Sequence, residues 1–165
     1  LIEQMYQELE VWYPYYRMIE EGAETVFIAP EDGKEYHGKY GYPAKADIAI
    51  ARVDPKNFDA VIIPGGFAPD FMRRSPEMIE FVYEMGKTEK ITAAICHGAW
   101  VLASAELLGG RKATCFFGIA DDIKNAGAIY VDEPVVVDGK IITSRKPDDL
   151  PAFCGAIIAS LSDLS

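Results

Sequence analysis

The chain has 165 residues, half of them apolar and a quarter charged, the balance of a globular domain rather than a disordered segment. Sixteen basic side chains against 26 acidic ones leave a net charge of −10, which argues against nucleic acid or an anionic membrane surface as the partner, because both call for a surplus of Lys and Arg. No apolar run approaches the roughly 18–20 residues of a membrane span, no secretory leader is expected, and the length suits one domain over 1–165.

Short apolar runs alternate with amphipathic segments along the chain, the pattern of an α/β domain around a parallel sheet. Leu1-Ile2 reads as the end of a strand whose start would lie upstream. A helix is predicted over Leu9–Glu21, with Leu9, Trp12, Tyr13 and Tyr16 on one face, Pro14 near its start and Gly22 as its stop. Thr25–Ile28 is a predicted strand. Residues 30–57, broken by Gly33, Gly38 and Gly41, are expected to be irregular, with a short strand around Ile48. Ala60–Ile63 is a buried strand ending in Pro64-Gly65-Gly66. Met78, Phe81, Val82 and Met85 mark a helix from Pro76 to Lys87. Ile91–Ile95 is a second buried strand, followed by a helix over Gly98–Leu107. In the last third, Thr114–Phe116 is a predicted strand and Ala120–Asn125 a helix. Val135–Val137 and Ile141–Thr143 form a hairpin over Asp138-Gly139. Leu150 to Leu161 is a final helix capped by Asp148 and Asp149.

Three cysteines, Cys96, Cys115 and Cys154, and two histidines, His37 and His97, limit the chemistry. None of the cysteines lies in a C-x-x-C pair, so a disulfide framework and a cysteine zinc site are both excluded and a reducing, cytoplasmic home is expected. Two histidines cannot build a multi-histidine metal centre, and the Gly65-Gly66 pair lacks the spacing of a phosphate loop. Neither a metal nor a cofactor is expected.

The informative segment is Ala94-Ile95-Cys96-His97-Gly98, at the corner between a strand and a helix. Small residues two positions either side of a nucleophile let such a turn close tightly. A thiol at a helix N-terminus is expected to have a lowered pKa. The His97 N–H would face an oxyanion on an atom bound to Cys96, with a second donor from Gly65-Gly66. The plainer alternative for any cysteine is a small buried hydrophobe, and Cys115 and Cys154 fit it. His97 follows the nucleophile directly, but adjacent side chains on a turn diverge, so it need not touch the sulfur. It would also need an orienting carboxylate, which the residues alone do not identify. His37, in a Gly-rich loop, is expected at the surface.

Ala93-Ala94-Ile95-Cys96-His97-Gly98 resembles the corresponding segment of the PfpI family of intracellular cysteine peptidases, in the ThiJ/PfpI superfamily. Further blocks match in order: Tyr13-Pro14-Tyr15-Tyr16-Arg17, Val61-Ile62-Ile63-Pro64-Gly65-Gly66, Asp121-Asp122, Asn125–Ala128, Val135–Gly139 and Thr143-Ser144-Arg145 through Phe153. The resemblance implies a flavodoxin-like three-layer sandwich, with helices on both faces of a mostly parallel sheet and Cys96 as nucleophile. It implies that Glu10, four positions before Pro14, hydrogen-bonds the cysteine. It also implies that Asp70, in Ala68-Pro69-Asp70 where the family commonly has Glu, orients His97 of a neighbouring subunit, so that a homo-oligomer, a dimer or a hexamer built from dimers, completes the site. The bland alternatives are first-turn charges at both positions. Phe116 stands where the family often has Tyr, and Trp100 differs from a common family choice. Both are expected to line the substrate site.

Three functions follow. A peptidase would use Cys96 on a peptide carbonyl, with His97 moving protons and Gly66 and His97 holding the oxyanion. A cofactor-independent glyoxalase or deglycase would use Cys96 on methylglyoxal or its adducts, with Glu10 moving the proton. A redox-sensing protein would need only oxidation of Cys96.

Overall fold

A computed structural model describes residues 1–88 and 90–163. In chain order these form α1 (Glu8–Glu20), β1 (Ile28–Ala29), β2 (Glu35–His37), β3 (Pro43–Lys45), β4 (Ile48–Ala49) and β5 (Ala60–Ile63). Then come α2 (Ala68–Met72), α3 (Pro76–Lys87), β6 (Ile91–Ile95), α4 (Ala99–Ser104), β7 (Lys112–Ala113), α5 (Ala120–Asn125), β8 (Ile129–Tyr130), β9 (Val135–Asp138), β10 (Ile141–Ser144) and α6 (Leu150–Ser162).

The central sheet runs β5-β6-β10-β9, parallel except for the β9–β10 hairpin. β1 and β4 pair in parallel beside it. The extended Leu1-Ile2 joins the two pieces, since the Leu1 nitrogen donates to the Ile62 carbonyl at 2.8 Å and the Ile2 N–H to the Ile28 carbonyl at 2.9 Å. α1 and α6 cover one face; α3, α4 and α5 cover the other. The result is a three-layer α/β sandwich.

Every residue of β6 is buried, the condition of a strand covered on both faces. Ile91, Ala93 and Ile95 pack with Met18, Phe153, Cys154 and Ile157 beneath α1 and α6, whereas Ala94 joins the larger core under α3 and α4. The short side chains of Ala93 and Ala94 let both helical layers come close. α3 begins where predicted, with the Ser75 hydroxyl accepting the Met78 N–H at 3.3 Å and Pro76 in its first turn.

Six expectations change. The helix expected over Gly98–Leu107 is Ala99–Ser104, the chain turning away through Glu106 at φ +56°. Pro14 lies inside α1 rather than in its first turn; having no N–H, it leaves the Glu10 carbonyl without a helical partner. Of Thr25–Ile28 only Ile28 is paired as strand, because Asp47 takes over at Phe27, accepting its N–H at 2.7 Å. Residues 30–57 contain the antiparallel β2–β3 pair and two 3₁₀ turns; the glycines hide a period too short to read. The strand placed at Thr114–Phe116 is instead Lys112–Ala113, since the Thr114 N–H leaves the ladder for the Thr143 hydroxyl at 2.9 Å. Asp149 occupies the N-cap of α6 without a side-chain cap, its carboxylate being taken by Arg145 at 2.9 Å.

Candidate active site

β6 delivers Cys96 into a single 3₁₀ turn, Cys96–Gly98, that leads into α4. The turn is sharp enough to force Cys96 to φ +61°. A non-glycine residue held there costs on the order of 1–3 kcal/mol, sustained by its surroundings. Gly98 makes the corner possible: a Cβ there would fall 2.6 Å from the Ile63 carbonyl oxygen. β5 ends beside it, and a Cβ on Gly65 would lie 2.6 Å from Glu10 Oε2 and 2.7 Å from Cys96 Cβ. Glycine is therefore required where the carboxyl and the sulfur converge.

The Gly66 peptide is held from above. Tyr6 and Gly66 form an antiparallel bridge, with the Gln7 N–H donating to the Gly65 carbonyl at 3.2 Å and the Phe67 N–H to the Met5 carbonyl at 2.8 Å. Gly66 takes φ +75° and Met5 φ +60° to allow it. The Gly66 and His97 peptides thus lie beside the Cys96 sulfur, where their N–H groups favour its charged form.

Glu10 comes from the first turn of α1 and is wholly buried. The Gln7 side chain caps this turn by accepting the Leu9 N–H at 2.6 Å and the Glu10 N–H at 3.2 Å. The carboxyl accepts the Gly65 N–H at 2.7 Å through Oε2 and faces the Cys96 sulfur, and its other oxygen is buried without a partner. Burial pushes Glu10 up to about 7, against the pull of the Gly65 N–H, Cys96 and Lys39. Burial and the Glu10 charge push the Cys96 thiol up to about 12, against the two backbone N–H groups. The expected lowering by a helix N-terminus is therefore overturned: α4 has six residues, and its short dipole is outweighed by desolvation beside a carboxylate. Cys96 and Glu10 titrate as a coupled pair, the negative charge of the carboxylate holding the proton on the sulfur.

His97 does touch the sulfur, its Nδ1 lying 3.3 Å from Sγ. The ring is clamped, stacked on Phe116 at 5.1 Å and 26° and meeting the edge of Trp100 at 5.1 Å and 77°. Burial and Lys39 lower its pKa, and Asp122 opposes them. Thus Cys96, His97, Glu10, Gly65, Gly66, Phe116 and Trp100 gather at one corner. Asp70 does not join them within the chain; it lies in α2 in an ion pair with Arg74.

Residues 1–160 match the DJ-1/PfpI family. The chain belongs to that family. It is 43% identical over 148 residues to the Pyrococcus furiosus protein named deglycase PfpI, covering 90% of this chain and 89% of that one. It is 43% identical over 153 residues to YraA of Bacillus subtilis, named as a candidate cysteine protease, covering 93% and 90%. A solved two-domain protein of Anabaena variabilis, with DJ-1/ThiJ/PfpI-like and ferritin-like domains, superposes with a TM-score of 0.96 at 43% identity, over 98% of this chain and 48% of that one.

Two charges around the DJ-1/PfpI corner escaped sequence reasoning. Lys39, in the turn between β2 and β3, is carried there because its N–H donates to the Tyr6 carbonyl at 2.9 Å; nothing in its local sequence signals this. Asp122 stands in a block noted for its resemblance and given no role. Among the described residues, no group of three or more His, Cys, Asp or Glu could hold a metal ion, and no helix is long and apolar enough to cross a membrane.

Proposed function

We propose that the protein is a cofactor-independent enzyme of the glyoxalase or deglycase type, with Cys96 as nucleophile and Glu10 as proton carrier. The observation that carries this reading is the buried Cys96–Glu10 unit, whole within one chain. The alternative acid, Asp70, is occupied by Arg74. A Glu10 pKa of about 7 suits a group that must both give and take a proton near neutrality.

The sulfur adds to an aldehyde carbon: the S–C bond forms, the C=O π bond opens onto oxygen, and the thiol proton reaches that oxygen through Glu10. The Gly66 and His97 N–H groups steady the developing negative charge. From an amine adduct of the same aldehyde the sulfur displaces the amine, which leaves with a proton from Glu10. Both routes give a hemithioacetal. With methylglyoxal, the Glu10 carboxylate then removes the hydrogen from the sulfur-bearing carbon while the neighbouring carbonyl oxygen takes a proton, giving an enediol; the hydroxyl on the sulfur-bearing carbon next gives up its proton to become the thioester carbonyl and the neighbouring carbon is protonated, leaving a lactate thioester. Water cleaves that thioester, freeing lactate and restoring the thiol. The sum is methylglyoxal plus water to lactate, with no external oxidant or reductant.

Lactate formation from methylglyoxal and amine release from a methylglyoxal–N-acetyl-lysine adduct test this directly. Both should occur, and both should vanish in Cys96→Ser. Full activity in that variant, or none in the native protein, rejects the assignment.

The 3.3 Å contact between His97 and the sulfur favours a second reading, peptide hydrolysis. There Asp70 of a second copy would orient His97, so cleavage of a fluorogenic peptide should appear only in oligomeric fractions and be lost in Asp70→Asn. Free cysteines throughout the chain suit a reducing compartment such as the cytoplasm.

A further inference from the structure

Among the described residues, the His97 side chain has a clamp but no carboxylate hydrogen-bonded to it. The clamp is itself held by one. Trp100 Nε1 donates to Asp122 Oδ2 at 2.8 Å, and the Trp100 ring is the edge that meets His97. The Arg73 guanidinium also sits over the Trp100 ring, 5.6 Å from its centroid, with its Nε donating to the Ser104 hydroxyl at 2.8 Å. The indole therefore has little freedom, and its N–H end is tied to α5.

We propose that Asp122 is a positioning residue for His97: through the Trp100 indole, whose N–H it accepts, it holds the imidazole between Trp100 and Phe116 with Nδ1 at the Cys96 sulfur. Among the described residues, Lys39 from the β2–β3 turn and Asp122 from α5 act on His97 through their charge; Cys96 touches the ring, Glu10 lies across the corner against the sulfur, and Arg73 on Trp100 and Asp70 on α2, which packs against the Cys96–Gly98 turn, are further ionisable groups of the elements packed there. Lys39 disfavours the imidazolium and Asp122 favours it. The carboxylate thus has two separable effects, one geometric through a hydrogen bond and one electrostatic through charge. Asn can keep the first and must lose the second, since its side-chain oxygen still accepts from the indole.

This inference concerns the histidine and stands whichever substrate Cys96 takes, so its readouts do not depend on turnover. The experiment follows the His97 imidazole by NMR and measures the rate of Cys96 alkylation by iodoacetamide against pH, in native protein, Asp122→Asn, Asp122→Ala and Trp100→Phe. In Asp122→Asn the His97 titration midpoint should fall by roughly 0.5 unit at low salt, with less change at 1 M salt, as expected for an exposed charge acting across several ångströms. Asp122→Ala should add a loss of ring order, seen as averaged His97 shifts, and a change of two-fold or more in the alkylation rate at the pH where the imidazole titrates. Trp100→Phe should loosen the ring while the Asp122 charge remains. An unchanged His97 midpoint and an unchanged alkylation profile in both Asp122 variants, with native melting behaviour, would overturn the proposal. Should Asp122→Ala fail to fold, Asp122→Asn and Trp100→Phe decide the matter on the same readouts.

Discussion

Cys96 and Cys154 lie in the same core cluster, between the sheet and the α1–α6 layer. Both are buried, and burial pushes both thiols up to about 12. By exposure and acidity they are nearly the same residue. What differs is the company. Cys154 sits mid-way along α6 in ordinary helix, packed with Met18, Phe153 and Ile157. Cys96 is held at φ +61°, under two backbone N–H groups, beside a buried carboxyl and 3.3 Å from an imidazole. On the proposed function, the difference between the two thiols lies in the corner, where a neighbour can take the proton, and not in burial.

The sharpest break in that comparison is Cys96→Ser against Cys154→Ala. The first should reduce dicarbonyl turnover on the order of 10³-fold or more, because the nucleophile itself is exchanged. The second should leave kcat within two-fold. Parallel assays at saturating methylglyoxal check both, and an equal loss in the two variants would erase the distinction.

Glu10→Gln comes next. It keeps the shape and removes the proton carrier, with an expected loss of ~10²–10³-fold in kcat. It also has a signature in stability. An acid whose pKa is raised on folding binds more protons folded than unfolded, so its contribution is full below the ordinary value near 4.5 and is lost as pH rises through about 7. Denaturant titrations of native protein and Glu10→Gln should therefore diverge between pH 5 and 8. The native protein should lose roughly 3 kcal/mol relative to the variant; parallel curves would mean that the carboxyl is not held protonated by burial.

Gly65→Ala probes the same corner without touching an ionisable group. Its Cβ would fall between the carboxyl and the sulfur, so one must move. A displacement of this kind is expected to cost ~10²-fold in kcat. Mass-resolved alkylation of Cys96 should slow or speed accordingly, while Cys115 and Cys154 stay unmodified in the folded state.

Much of this was legible beforehand, and the reason is periodicity. β5, β6 and α3 carry clear apolar patterns, and their observed bounds, like those of α5, are the predicted ones. The Cys96 corner was legible because Ala94 and Gly98 answer a local steric need. The elements that escaped are those defined by a partner far along the chain. β2 and β3 exist through each other. Lys39 reaches the site through the Tyr6 carbonyl, and Asp122 through an indole twenty-two positions earlier. The thiol's acidity is hard to read for the same reason: the helix following Cys96 is a local feature, whereas Glu10 arrives from another strand–helix unit. The resemblance names that carboxyl, but local rules carry no measure of how far burial beside it raises the thiol.

The smallest effect belongs to the quiet cysteine. Cys154→Ala removes one sulfur from a packed surface shared with Phe153 and Ile157. The expected cost is about 1–2 kcal/mol of stability, set by the apolar contact removed and the small cavity left. Thermal unfolding should report it as a modest fall in Tm, with the pH dependence of activity superimposable on that of the native protein. A shift in that pH profile would mean that the Cys154 side of the core communicates with Glu10 through α1, which packs against α6. The boundary between the inert and the reactive thiol would then lie further from Cys96 than its immediate neighbours.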